Sequence, residues 1–224
     1  MRSVLITGAD RGVGYSLCEC FLREGWLVYA GQFMPSWPWL AELGQKWAAQ
    51  LIILPLDVSS TESVCRAAER CGDIDLLVSC AGVPGDDTEP GLHTAFGINT
   101  LGAVRLVENF LPHMEKGLKR LAFVTSEAGV ISIAHRDGGF GYTISKAMLN
   151  MIVSCMFKEL RPRGYTFRLY HPGWVRSYMQ GHKNLNGRYE PEESAEAAYR
   201  QFTEERSWED TLAITDISGH IWPW

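Results

Sequence analysis

Nowhere in the 224 residues do the roughly 18 consecutive apolar residues of a membrane-spanning helix occur, so no span is expected. The opening Met1-Arg2-Ser3-Val4-Leu5-Ile6 carries too short an apolar run for a secretory leader. Basic charge is not in excess: 21 Lys and Arg stand against 26 Asp and Glu, for a net charge of −5. That balance excludes a broad nucleic-acid footprint. The small groups Lys116/Lys119/Arg120 and Arg161/Arg163 read as solvated helix ends. The six cysteines include no CxxC pair, which fits reduced thiols used as small hydrophobes rather than a disulfide framework or zinc site. His171 has no second ligand at useful spacing and reads as a core or turn histidine, so no metal is expected. Repeats, low-complexity tracts and linkers are also missing. A cytoplasmic protein forming one domain over residues 1–224 is the expectation.

What is present is an alternation of short apolar runs and helical stretches. Val4–Thr7, Leu27–Ala30, Leu51–Leu54, Ile74–Val78, Leu121–Val124 and Thr166–Tyr170 read as strands apolar on both faces, as in a parallel sheet covered on both sides. Val13–Glu24, Glu62–Arg70, Ile98–Met114 and Thr143–Leu160 read as helices. The fold class is therefore α/β, a Rossmann-type doubly wound parallel sheet with helices on both faces. In Thr143–Leu160 the polar residues Lys146, Asn150, Ser154 and Lys158 recur every fourth position, with nearly everything else apolar. Such a helix is expected to be buried against more than one neighbour, either elements of its own chain or another subunit.

The first strand runs through Thr7-Gly8-Ala9-Asp10-Arg11-Gly12-Val13-Gly14 straight into a helix. Gly8, Gly12 and Gly14 relieve crowding where backbone approaches a pyrophosphate, and the helix N-terminus offers it free N–H groups and partial positive charge. Position after a first strand makes this turn far more specific than glycines alone. This TGxxxGxG resembles the short-chain dehydrogenase/reductase family, and the family's other marks follow in order. Asp57-Val58 resembles its adenine-contacting pair. Ser79-Cys80-Ala81-Gly82 stands where the family has Asn-Asn-Ala-Gly, keeping Ala81 and Gly82 but neither asparagine.

The resemblance implies a nicotinamide cofactor. Members preferring NAD carry an acid at the end of the second strand, where it bonds the ribose hydroxyls and repels a 2′-phosphate. Gly31 fills that place here, followed by Gln32. Arg11 stands where NADP-using relatives carry a basic residue able to grip a phosphate. NADP(H) is thus preferred, with NAD(H) possible.

At the other end, Tyr142 and Lys146 lie one helical turn apart. Lowering a phenol pKa from about 10 to about 7 takes about 4 kcal/mol. An ammonium at about 5 Å in an effective dielectric of about 20 supplies roughly 3 kcal/mol of that. Ser126 matches the family's catalytic serine, whose hydroxyl would bond the substrate oxygen. Asn99 matches the asparagine that holds a relay water near the lysine. The resemblance implies hydride transfer between the nicotinamide and a carbonyl carbon, with Tyr142 as the general acid. Lys146 would also hold the nicotinamide ribose. Pro172, Gly173, Val175 and Ser177 resemble the turn that holds the nicotinamide itself.

Glu127, His135, Trp174 and Tyr178 are the candidate walls of a substrate site for a small carbonyl or alcohol. The end Ile221-Trp222-Pro223-Trp224 resembles the C-factor-like and sniffer-like reductases. Trp37, Trp39 and Trp47 stand near the expected adenosine and either stack on adenine or, the preferred reading, pack a helix onto the sheet. A homodimer or homotetramer is the family-based expectation. The competing function is a nucleotide-binding sensor of the same fold with little turnover.

Overall fold

The structure is a computed structural model describing residues 1–224. Eight strands form one sheet in the order β3-β2-β1-β4-β5-β6-β7-β8. Strands β1 (Ser3–Ile6), β2 (Leu27–Gln32), β3 (Leu51–Pro55), β4 (Leu76–Ser79), β5 (Arg120–Val124), β6 (Thr166–His171) and β7 (Ile214–Asp216) run parallel. Strand β8 (Ile221–Trp222) folds back antiparallel to β7. The order reverses between β1 and β4, which opens a crevice at the carboxyl ends of those two strands.

The period-2 alternation of each strand divides the core. Leu5, Leu77, Leu121, Phe123 and Leu169 point to one face, packed with α3 (Thr61–Glu69), α5 (Leu101–Phe110) and α6 (Phe140–Leu160). Val4, Ile6, Val78, Ala122 and Tyr170 point to the other, with α1 (Gly12–Arg23), α2 (Trp39–Lys46) and α7 (Pro191–Thr203). Helix starts follow local chemistry. Ser60 caps α3 through its hydroxyl, and Glu190 with Glu193 forms a capping box on α7 behind Pro191. A short α4 (Glu89–Ala95) begins at Thr88, whose hydroxyl accepts Gly91 N–H. No helix is long and apolar enough to cross a membrane, and all six cysteines are unpaired.

Several expectations need correction. Strand β3 is an edge strand with Ile52 and Pro55 exposed, not apolar-covered on both faces. Ile98–Met114 is not one helix: a π-turn at Phe96–Thr100 precedes α5 and a 3-10 turn at Leu111–Met114 follows it. Helix α6 turns its polar residues Ser145, Lys146 and Asn150 inward, leaving Ile144, Met148, Met151 and Cys155 exposed. The inversion arises because Lys146 and Asn150 bond backbone carbonyls of Val124 and Gly129 inside the fold.

Arg120 is no solvated helix end either. It lies buried on β5 beside Arg168 of β6, whose side chain is 1% exposed. The Arg168 fork donates to both carboxylate oxygens of Glu209, at 2.7 and 2.5 Å. Together the two guanidinium groups also take the carbonyls of Gln201, Phe202 and Glu204 at the end of α7. Cations there complement the helix dipole, and the segment leading to β7 is fastened to the sheet.

Burial by itself raises the Glu209 carboxyl, but bonds and charge from Arg168 and then Arg120 outweigh it and leave it below the usual carboxylate range. Its stabilisation is complete above the unfolded-state value near pH 4 and is lost as pH falls through the lower folded value. Urea unfolding at neutral pH is expected to show Glu209→Ala about 3 kcal/mol less stable than the parent, because two buried cations lose their counter-charge. In Glu209→Gln the acid-side decline in stability should be shallower.

Candidate active site

The crevice begins at Thr7, just past β1. Its hydroxyl accepts the N–H groups of Cys80 and Ala81 at 3.0 and 3.1 Å, joining the turn after β1 to the turn after β4. Gly8 has φ +66°, and a Cβ there would stand 2.8 Å from Ala81 Cα. A Cβ on Gly14 would stand 2.1 Å from Gly8 O. Both positions therefore admit only glycine. Gly12, at φ +59°, lies under Ser177. Unlike α3, α4 and α7, α1 has no side-chain cap and no acid in its first turn. Its first N–H groups, Val13 included, are thus available to an anion, and the glycine cradle fits a dinucleotide diphosphate.

A second clasp, which the sequence did not reveal, ties this turn to the segment after β2. The buried Asp10 carboxylate accepts Phe33 N–H at 3.1 Å from each oxygen and Met34 N–H at 2.7 Å. Arg11 lies over the Trp37 ring, 4.8 Å from its centroid. Trp37, Trp39 and Tyr178 make a three-ring cluster with centroids 5.2–5.5 Å apart, and Tyr15 of α1 adds to Trp39 at 5.6 Å. These tryptophans cross-link three segments rather than packing a helix onto the sheet.

Gly31, near the end of β2, is closely packed: a Cβ there would stand 2.8 Å from Leu56 Cδ2 and 3.3 Å from Ile6 O. Gln32 follows it, half-buried at the strand end. Asp57 is engaged by Ser59 and Ser63, while Val58 is buried against Gly102 with its carbonyl taken by Arg105. Gly82 lies beside Asn99 and Lys146: a Cβ there would be 3.2 Å from Asn99 Oδ1 and 3.8 Å from Lys146 Nζ.

Ser126, Tyr142 and Lys146 converge because the Ser126 turn presses on α6. A Cβ on Gly129 would stand 2.6 Å from the backbone of Lys146, and Asn150 Nδ2 donates to Gly129 O at 3.1 Å. Lys146 Nζ donates to Val124 O at 2.8 Å and lies 5.7 Å from the Tyr142 ring centroid. Burial pushes its pKa down to about 8, with Cys80 opposing. The Tyr142 phenol moves opposite to expectation. Burial pushes it up to about 12, Ser126 opposing and the Glu127 charge adding to the rise.

The Asn99 amide is held by three hydrogen bonds. Its Oδ1 accepts Val83 N–H, and its Nδ2 donates to Val83 O and Ser145 Oγ, all at 2.9 Å. The side chain is a clamp between the segment after β4 and α6. It spans the π-turn in which Leu101 N–H reaches back to Phe96 O.

Of the four candidate wall residues, only Glu127 touches Ser126. Ser126 Oγ donates to Glu127 Oε2 at 2.7 Å, Arg136 pairs with Oε1, and His171 Nε2 stands 3.4 Å from Oε2. Burial raises the Glu127 carboxyl, but bonds and charge from Ser126, His171 and Arg136 prevail and lower it. His171 is therefore a partner of this carboxylate; burial lowers its own pKa. His135 is exposed with Nδ1 3.2 Å from Ile133 O, Trp174 is 62% exposed, and Tyr178 belongs to the tryptophan cluster. Pro172 and Gly173 start the covering strap: Gly173 has φ +76°, with Tyr189 packed on it, and Val175 bridges to Tyr189. No group of three or more His, Cys, Asp or Glu assembles that could hold a metal.

A doubly wound sheet, an uncapped glycine cradle at its reversal point and a Tyr142 set beside buried Ser126 and Lys146 define a dinucleotide-dependent oxidoreductase. The family model for short chain dehydrogenases matches residues 2–187, and the chain belongs to that family of NAD(P)-dependent oxidoreductases. C-signal of Myxococcus xanthus is 42% identical over 118 residues, 49% of this chain and 70% of that one. The 1-hydroxy-2-glutathionyl-2-methyl-3-butene dehydrogenase of Rhodococcus sp. is 32% identical over 185 residues, 78% of either chain. The NADPH-bound carbonyl reductase from chicken fatty liver superimposes with a TM-score of 0.87 at 27% identity, over 100% of this chain and 99% of its own. Carbonyl reductase Sniffer of D. melanogaster shares the fold, with a TM-score of 0.87 at 20% identity over all of both chains.

If Asn99 is the clamp its bonds describe, Asn99→Ala should lower unfolding stability by about 2–3 kcal/mol, since both backbone groups of Val83 lose their partner. A residue serving only to hold a water would leave the urea midpoint unchanged.

Proposed function

We propose that the protein reduces a small, largely apolar carbonyl compound to its alcohol with NADPH as hydride donor. The observation that carries this reading is the Ser126–Tyr142–Lys146 group, in which Lys146 Nζ lies 5.7 Å from the Tyr142 ring centroid and burial favours the protonated phenol. A phenol in that state is ready to protonate an alkoxide as hydride arrives at the carbonyl carbon. The reduced nicotinamide supplies that hydride when bound. Ser126 orients the carbonyl oxygen, and Lys146, still largely protonated at pH 7, holds ribose hydroxyls and adds positive charge beside the tyrosine. Ile131, Ile133 and Phe140, on the segment between Ser126 and Tyr142, are exposed, as are Met179 and Leu185 on the strap. Such a rim suits an apolar substrate.

The cofactor preference rests on Arg11 at the adenosine end and on the missing acid at the end of β2, where Gly31 stands, followed by Gln32. We also propose that residues 1–224 act as one domain. The exposed stripe Ile144, Met148, Met151 and Cys155 is read as the contact of a homodimer or homotetramer. A pure sensor has no need of a tyrosine and lysine held together in this way, so that alternative is not favoured.

The test is NADPH consumption against a panel of small aldehydes, ketones and diketones, beside Tyr142→Phe. Turnover in the parent should fall by about 10²-fold or more in the folded variant. Turnover surviving the exchange would place the proton donor elsewhere. Tight NADPH binding with no turnover on any carbonyl would return the sensor reading.

A further inference from the structure

We propose that Trp37 is a specificity-determining residue for the cofactor: it positions the Arg11 guanidinium for the adenosine 2′-phosphate, and so favours NADPH over NADH. The inference rests on the reading above that Arg11 meets that phosphate. Arg11 sits on the glycine-rich turn, and that turn adjoins the end of β2, where the ribose of a dinucleotide lies. Ala9 N–H donates to Gly31 O at 3.1 Å, and Asp10 binds the next two backbone N–H groups, of Phe33 and Met34. Those two amides are spent on Asp10, so the start of the segment offers no free backbone donor to a phosphate. Arg11 is left as the cation at this end, and no carboxylate in the protein pairs with it.

An unpaired arginine on a turn samples many rotamers, and ordering it on binding weakens the phosphate contact. Trp37 removes that freedom. The guanidinium carbon lies 4.8 Å from the centroid of the indole, and the guanidinium makes no hydrogen bond within the protein, so its N–H groups are free for a phosphate. The ring is itself fixed. Trp37 N–H donates to Met34 O at 2.9 Å, Met34 is held by Asp10, and Trp39 and Tyr178 abut the indole at 5.3 and 5.5 Å. Its Nε1 is buried with no hydrogen-bond partner, so ring contacts alone set its place. Asp10 and Arg11, neighbours in sequence, thus grip one loop at two points and close a circuit through Met34 and Trp37.

Calorimetric titration of NADPH and of NADH into the parent, Trp37→Leu, Trp37→Phe, Arg11→Ala and the Trp37→Leu/Arg11→Ala double variant tests this. Trp37→Leu should weaken NADPH by about three- to tenfold and leave NADH within about twofold. Trp37→Phe, which retains a π face, should recover at least half of that loss, and it carries the test if the leucine variant unfolds. In the Arg11→Ala background the exchange of Trp37 should add nothing for NADPH. Equal loss for both cofactors, or an undiminished loss without Arg11, would reduce Trp37 to a packing residue and overturn the proposal. If Arg11→Ala leaves the NADPH-to-NADH ratio unchanged, the reading of Arg11 itself fails, and the role of Trp37 with it.

Discussion

The approach of two backbones at the reversal point of the sheet is the constraint on which the site depends. Where Gly8 passes Ala81 there is no room for a Cβ, and Thr7 closes the junction with one hydroxyl shared by two amides. From this contact the structure can be followed to the catalytic helix without a gap. Ala81 leads through Gly82 to Val83, Asn99 clamps Val83 to Ser145, and Ser145 precedes Lys146. A second close approach, Gly129 against the Lys146 backbone, brings Ser126 to the same place. The cradle that fits a diphosphate and the group that handles the proton are thus registered by glycines at both ends. Close packing makes such a chain stiff, because no link can lengthen without opening a void.

At the reacting end, burial and charge act against each other, and the outcome differs from residue to residue. Lys146 and Tyr142 both lose to burial: the ammonium becomes a weaker base and the phenol a weaker acid. Glu127 resists burial because three donors surround it. The simple Coulomb argument, in which a nearby lysine depresses the tyrosine, omits the desolvation of the tyrosine itself. It also omits Glu127, which places negative charge on the far side of Ser126. Burial and the Glu127 charge thus both favour the protonated phenol.

How much of this was legible in the sequence depended on whether a signal was local. The glycine turn could be read because spacing, strand and helix lie within a dozen residues, and the catalytic tyrosine and lysine because one helical turn separates them. Apolar runs marked six strands. Strands β7 and β8, of three and two residues, were too short to leave a pattern. The buried Arg168–Glu209 pair spans 41 positions and the Trp37–Tyr178 contact far more. Neither has a periodicity to announce it. Asp10 carried no signal of its own, and only the fold shows that its carboxylate is consumed by the amides of the next loop.

The strap that begins at Pro172 and Gly173 and runs to Tyr189 shows why the aromatic residues matter more than the charges around them. Its ion pairs, Arg176 and Lys183 with Glu190, are largely exposed, and pairs of that kind contribute between nothing and about 1 kcal/mol. The Tyr178 ring meets two tryptophans edge-on, and each such contact contributes about 0.5–1.5 kcal/mol beyond the area it buries. The strap crosses the glycine cradle at Ser177, where Tyr178 joins it to the tryptophans, while backbone bonds among Trp174, Arg176, Arg188 and Tyr189 close it on itself. Where the strap lies over the glycine cradle is therefore set by ring packing rather than by its ion pairs.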